Sequence, residues 1–119
     1  MTIVKRSVIV IDDDEDTVRL FSDFLEEKGI KVVGIGYDGI TAIELYKEKI
    51  PDVVLIDMMM PNGSGFYAIK KIQEINPKAK IIAVSGDSSY STEEKLEKLS
   101  IPLINKPFNM EQIISIIDG

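Results

Sequence analysis

Five short apolar runs at fairly even spacing constrain the fold of this chain more than any other feature. They occupy residues 8–11, 32–35, 53–56, 81–84 and 103–104, and the first four are rich in Val and Ile and nearly continuous. Strands that are buried on both faces have this pattern, and such strands occur in parallel sheets. The sequence therefore predicts five strands in a sheet that is covered on both sides.

Segments with helical periodicity separate these runs. The predicted helices cover residues 17–28, 39–49, 66–75 and 91–99, and the last helix begins at Asn109. In the last helix Met110, Ile113, Ile114 and Ile117 recur at i, i+3, i+4 and i+7, which places them on one face. Strands and helices alternate throughout, and this order predicts one doubly wound α/β domain over residues 1–119.

Composition excludes several functional classes. The formal net charge of −6 disfavours direct binding to nucleic acid, which requires a basic face. The apolar runs are too short for membrane insertion and the first residues lack the apolar segment of a secretory signal. The chain contains no Cys, so we expect a cytoplasmic location without disulfides. It contains no His either, so oxygen atoms must hold any metal, which favours a hard cation such as Mg²⁺ or Ca²⁺.

The candidate functional residues follow the predicted strands, because ligands of open α/β sheets bind beyond the carboxyl ends of the strands. Residues 36–39, which follow the second strand, have the composition of a turn. The other strands are followed by polar residues: Asp12, Asp13 and Asp14 after the first, Asp57 after the third, Ser85 after the fourth, and Asn105, Lys106 and Pro107 after the fifth.

These residue types suit phosphoryl chemistry on a metal. Carboxylates from two strand ends repel each other unless a cation lies among them, and Mg²⁺ binds one or two carboxylates together with phosphate oxygens. A carboxylate such as Asp57 can act as a nucleophile and form an aspartyl phosphate. Taken singly, Asp14, Glu15 and Asp16 are better interpreted as the cap and first turn of a helix. Asp12 and Asp13 fit either role, and Lys106 alone fits a solvated surface lysine.

Four segments in order, VIVIDDDED, VVLIDMMMPNGSG, IIAVSG and INKPF, resemble the receiver domain of two-component response regulators, single-domain chemotaxis regulators included. The resemblance covers essentially the whole chain and implies a flavodoxin-like sheet with strand order 2-1-3-4-5. It implies a phosphorelay protein that accepts a phosphoryl group from a sensor histidine kinase or phosphotransfer protein and presents an altered surface to a downstream target protein. Such a domain catalyses its own phosphorylation and dephosphorylation and is not a conventional enzyme.

The resemblance also implies residue roles at the metal. Asp57 is the phosphoacceptor, and Asp12 and Asp13 form the acidic pair, with Asp13 a direct ligand of Mg²⁺. Asp57 and the backbone carbonyl of Met59 complete the protein ligands, and Mn²⁺ or Ca²⁺ can replace Mg²⁺.

Further roles concern the phosphoryl group and the output. The resemblance implies that Ser85 and Lys106 contact the phosphoryl group and that the Lys106–Pro107 peptide is cis. Leu103 departs from the family, which usually has an aromatic residue there that swings inward on activation. We therefore expect signalling to depend mainly on the backbone of residues 86–90 and to reshape the surface of the fourth helix, fifth strand and last helix. Ile116 is either exposed on that surface or lies at the edge of the core.

Three alternative functions fit the sequence less well. A haloacid-dehalogenase-type phosphatase would use Asp12 and Asp14, but Asp16 stands where its motif requires Thr or Val, and the chain is short for that family. A calcium-binding EF-hand loop fails because Thr17 occupies the position of its essential glycine. A degenerate receiver that binds partners without phosphorylation is disfavoured because every chemical position is filled.

Overall fold

The computed structural model describes residues 6–60, 64–86, 90–105 and 110–118. Strands and helices alternate along them, as the apolar pattern predicts. The strands are β1 (Ser7–Ile11), β2 (Lys31–Gly36), β3 (Val53–Asp57), β4 (Lys80–Ser85) and β5 (Leu103–Asn105). The helices are α1 (Glu15–Glu27), α2 (Gly39–Lys49), α3 (Ser64–Ile75), α4 (Tyr90–Lys98) and α5 (Met110–Asp118).

The five strands form one parallel sheet in the order β2-β1-β3-β4-β5. The strand order that the family resemblance implies is therefore confirmed. β1 pairs with both β2 and β3, and their carboxyl ends meet at one edge of the sheet. Residues that follow β1 and β3 are thus brought together at that edge.

Helices cover both faces of the sheet, so two buried clusters form. On one face α2, α3 and α4 pack on alternate strand residues; this cluster contains Ile9, Ile11, Ala42, Tyr46, Val54, Ile56, Ile69, Ile72, Ala83 and Leu96. On the other face α1 and α5 pack on the intervening residues; this cluster contains Val8, Val10, Val18, Phe21, Leu25, Leu55, Ile82, Val84, Ile113 and Ile117. The central strands are buried on both faces because the helices cover both, which explains their continuous apolar sequence.

β2 is an edge strand, and two features distinguish it from a regular one. The register of β2 against β1 shifts between Val8 and Ile9. The backbone N–H of Val32 donates a hydrogen bond of 2.8 Å to Oε1 of Glu26, which comes from the last turn of α1. The edge strand therefore carries both an irregular register and a side-chain carboxylate bound to its backbone.

The predicted elements agree with the observed ones in number and order, and most boundaries differ by one or two residues. α1 begins at Glu15, because Asp14 caps it. The apolar pattern predicts a start at residue 17, next to the first apolar residue, and therefore places it two residues too late. Asn109, the predicted start of the last helix, lies outside the described residues. Ile116 is half-buried and packs against the core on the α1 and α5 face, so it lies at the edge of the core. No helix in the described ranges has the length and apolar character needed to span a membrane.

Candidate functional site

Three carboxylates converge at the carboxyl ends of β1 and β3. Asp12 and Asp13 directly follow β1, and Asp57 is the last residue of β3. One oxygen from each of the three lies within 4.8 Å of the others. Asp12 and Asp57 are buried while Asp13 is exposed, so the cluster opens to solvent on the Asp13 side. Three like charges this close repel each other, and a bound cation would remove that repulsion.

Backbone contacts fix the position of Asp12. Its N–H donates a hydrogen bond of 3.1 Å to the carbonyl of Gly36, the last residue of the neighbouring strand β2. Its carboxylate oxygen Oδ1 accepts a bond of 3.0 Å from the N–H of Asp14. Both the backbone and the side chain of Asp12 are therefore held before any ligand binds.

Asp14 has a different role from its two acidic neighbours. It is the N-cap of α1, where its side chain accepts a bond of 2.6 Å from the Thr17 hydroxyl and one of 3.3 Å from the N–H of Asp16. Glu15 and Asp16 follow in the first turn, where negative charge complements the helix dipole. The interpretation of these three acids as cap and first turn is confirmed.

The backbone after β3 orients Asp57. The N–H of Met59 donates a bond of 3.0 Å to Oδ1 of Asp57. The preceding residue, Met58, donates its N–H to the carbonyl of Val84 on β4 at 2.8 Å and so holds this turn against the sheet. The Met59 side chain is 54% exposed, so its backbone rather than its side chain is fixed at the site.

Ser85 reaches the same edge from the neighbouring strand. It is the last residue of β4, is fully buried, and lies one position beyond Val84, which is the register partner of Asp57. β5 ends beside it, since Ser85 pairs with Asn105. Lys106 and the predicted cis peptide to Pro107 come next in the chain, and both lie outside the described residues.

The segment from the end of β2 to the start of α2 contacts the site more closely than its turn-like composition indicates. Gly36, the last residue of β2, binds Asp12 through its carbonyl, and Asp38 is the N-cap of α2. The N–H of Thr41 donates a bond of 2.8 Å to Asp38, and together with the Thr41 hydroxyl it holds the pKa of this carboxyl below its ordinary value. Sequence reasoning missed the contact with Asp12, because a bond between main-chain atoms leaves no signature in residue types.

Leu103 lies half-buried beside a groove of about 280 Å³ between α4 and β5. Leu96 and Ile101 form its apolar wall together with Leu103, and Glu93 and Glu97 border it. Where the family usually has an aromatic ring, this chain therefore has an aliphatic side chain next to an open groove.

Comparison with known proteins gives the family. The model of the response regulator receiver domain matches residues 8–118. The chain is a member of the response regulator receiver family. It is therefore a signalling module and not a conventional enzyme, and its acidic cluster occupies the position at which this family is expected to bind a metal.

Relatives of similar length support the membership. The chemotaxis protein CheY of Thermotoga maritima is 32% identical over 114 residues, covering 95% of each chain. CheY of Bacillus subtilis is 30% identical over 112 residues, covering 93% of each. Among solved structures, a Francisella response regulator receiver domain superposes with a TM-score of 0.86 at 27% identity, covering 96% of this chain and 94% of its own.

The receiver geometry does not favour the alternatives. A dehalogenase-type phosphatase would bring Asp12 and Asp14 to one reaction centre, whereas Asp14 caps α1 and Asp57 joins Asp12 instead. An EF-hand loop would require Asp16 as a ligand, and this residue lies in the first turn of α1.

Proposed function

We propose that this receiver accepts a phosphoryl group on Asp57 in a Mg²⁺-dependent reaction and thereby changes the surface it presents to a partner protein. The convergence of the Asp12, Asp13 and Asp57 carboxylates at adjacent strand ends carries this proposal. The exposed side of the cluster, at Asp13, gives a donor and a metal access to a carboxylate that is otherwise buried.

The donor is a phosphohistidine of a sensor kinase or phosphotransfer protein. A carboxylate oxygen of Asp57 attacks the phosphorus atom, the phosphorus–nitrogen bond breaks, and its electron pair stays on the leaving imidazole. Later hydrolysis transfers the phosphoryl group to water and restores the carboxylate. The receiver supplies the groups for both steps itself.

Four protein oxygens would hold the metal: one carboxylate oxygen each from Asp12, Asp13 and Asp57, and the Met59 carbonyl. This donor set of carboxylates and a carbonyl fits Mg²⁺, and Mn²⁺ or Ca²⁺ would also fit it. When bound, the cation offsets the charge that develops on the transferring oxygens. The N–H of Met59 orients the Asp57 carboxylate throughout.

Ser85 and Lys106 complete the proposal. The buried hydroxyl of Ser85 lies on the strand next to Asp57 and is assigned to one phosphoryl oxygen. The ammonium of Lys106, at the end of β5 in sequence, is assigned to another as a point charge. A single domain over residues 1–119 and a cytoplasmic location belong to the same proposal.

Intact-mass measurement after incubation with acetyl phosphate and Mg²⁺ tests the assignment. The unmodified chain should gain the mass of one phosphoryl group, and Asp57→Asn should not, because an amide keeps the shape but is a poor nucleophile. Asp52→Asn is the matched control, since it makes the same change next to the other end of β3. Phosphate uptake by Asp57→Asn, or its loss in Asp52→Asn while that variant stays folded, would contradict the proposal.

A further inference from the structure

Gly36 contacts the acidic cluster through its backbone. It ends β2, pairs in register with Ile11 of β1, and accepts the hydrogen bond of 3.1 Å from the N–H of Asp12. Ile11 and Asp12 are consecutive, so Gly36 contacts both the end of β1 and the backbone of the first carboxylate residue of the cluster.

Gly36 lies where a side chain does not fit. A Cβ atom there would lie 2.9 Å from Cδ1 of Ile11 and 2.9 Å from Cγ2 of Thr41. Ile11 is 1% exposed within the core, so its side chain has little space to move. Among the described glycines only Gly29 has a positive φ, so Gly36 meets a requirement for space and not for an unusual backbone conformation.

Thr41 is held on the other side of Gly36. It lies in the first turn of α2, where its N–H donates to the capping carboxylate of Asp38 at 2.8 Å. Its branched side chain has few rotamers available. A Cβ at Gly36 would therefore push against a fixed helix start and a buried strand residue, and the backbone of Gly36 would have to move.

We propose that Gly36 is a positioning residue for the metal site, and that the contact between the start of α2 and the end of β2 sets the metal affinity through Asp12. The inference rests on the proposed function, because it takes the acidic cluster to be a metal site. The carbonyl of Gly36 places the Asp12 backbone, and the bond from Asp14 then sets the direction of the Asp12 carboxylate. Movement of Gly36 shifts this carboxylate relative to Asp57.

Gly36→Ala tests the inference against Gly34→Ala. Gly34 lies two residues earlier on the same face of β2, and its added Cβ would meet Cδ2 of Leu45 at 3.0 Å and Cγ2 of Ile9 at 3.3 Å. Leu45 is half-buried and has a flexible tip, and the described backbone bond to Asp12 comes from Gly36. Calorimetric titration should show Mg²⁺ binding weakened about tenfold in Gly36→Ala, as for other residues that orient a metal ligand, and nearly unchanged in Gly34→Ala.

A rescue variant separates positioning from general damage. Thr41→Ser removes Cγ2 and Ile11→Val removes Cδ1, the two atoms at 2.9 Å from the new Cβ, which leaves only Cβ of Thr41, at 3.3 Å, among the three nearest atoms. Adding Gly36→Ala to this double variant should leave its Mg²⁺ affinity nearly unchanged. If Gly36→Ala alone does not fold, the comparison of the triple with the double variant decides. A triple variant that is folded but binds Mg²⁺ about tenfold more weakly than the double variant would overturn the inference.

A metal-free measurement distinguishes this inference from the proposed function. By NMR, the Asp12 amide should lose hydrogen-exchange protection in Gly36→Ala and keep it in Gly34→Ala. Unchanged protection of the Asp12 amide in a folded Gly36→Ala variant would refute the positioning role, regardless of the Mg²⁺ affinity of that variant. If the unmodified chain binds no Mg²⁺, the proposed function fails, and the exchange result still decides whether Gly36 positions Asp12.

Discussion

The backbone N–H of Met59 lies 3.0 Å from Oδ1 of Asp57 and donates a hydrogen bond to it. The proposed phosphoacceptor is thus oriented by the chain that immediately follows it. The same residue is assigned to the metal through its backbone carbonyl, so both of its functions belong to the main chain. Its side chain is exposed.

Met59→Ala should therefore bind Mg²⁺ as the unmodified chain does. The substitution removes an exposed side chain and retains the N–H and the carbonyl. Calorimetric titration provides the measurement. A tenfold loss of affinity, about 1.4 kcal/mol, would show that the thioether or its packing contributes to the metal site.

Asp13→Ala and Asp14→Ala should differ sharply in metal binding. Asp13 contributes a carboxylate to the cluster, whereas Asp14 caps α1. We expect Asp13→Ala to weaken Mg²⁺ binding by a factor of about ten or more, or at least 1.4 kcal/mol, and Asp14→Ala to leave it nearly unchanged. Equal losses in the two variants would refute the choice of Asp13 as ligand.

The same pair should differ in stability without metal. Asp13→Ala relieves repulsion within the cluster and should raise the free energy of unfolding by roughly 1 kcal/mol, the size of a unit-charge repulsion near 4 Å in water. Asp14→Ala removes a helix cap and should lower it by about 1 kcal/mol. Urea unfolding in the presence of a chelator measures both. A destabilised Asp13→Ala variant would mean that Asp13 has a structural role instead.

Asp38 should make the stability depend on pH in the acidic range. Because the Thr41 bonds hold its pKa below the ordinary value, the folded state favours the charged form. This stabilisation is present above the ordinary carboxyl pKa and is lost as the pH falls through the lower, folded pKa. Asp38→Ala should cost about 1 kcal/mol at neutral pH, with a smaller difference from the parent in acid.

Asp38→Asn is the control for that titration. Asparagine caps helices about as well as aspartate and does not ionise, so this variant should be nearly as stable as the parent at neutral pH. Unfolding free energies from urea titrations across the acidic range provide the comparison. A difference between Asp38→Ala and the parent that stays constant down to the lowest pH would contradict the assigned direction of the pKa shift.

The output should depend on the backbone after Ser85 more than on Leu103. Leucine has no ring plane or polar tip, so a change of its rotamer cannot expose or bury as much surface as a change of an aromatic rotamer does. On adding beryllofluoride and Mg²⁺, NMR shifts of the amides of residues 86–90 should exceed the shifts of the Leu103 methyl groups. A fixed 86–90 segment together with a new Leu103 rotamer would reverse this ranking.

The sequence predicts the acidic cluster well because each of its members lies within two residues of the end of a buried apolar run. Strand order is different: runs of similar Val and Ile content do not indicate which neighbours pair, so the order depended on the family resemblance. The start of α1 also escaped the apolar pattern, since its first two residues, Glu15 and Asp16, are acidic. Gly36 was interpreted as part of a turn, because crowding by Ile11 and Thr41 exists only once β1, β2 and α2 have packed.

The Glu26 carboxylate on the Val32 backbone limits how copies of this protein can associate. A strand from another molecule that added to β2 would have to displace Glu26 from Val32 and match a register that shifts near the same place. The β2 edge of the sheet is therefore a poor template for strand addition. Association of copies through β2 would therefore cost the hydrogen bond between Glu26 and Val32, which opposes fibre growth at this edge of the sheet.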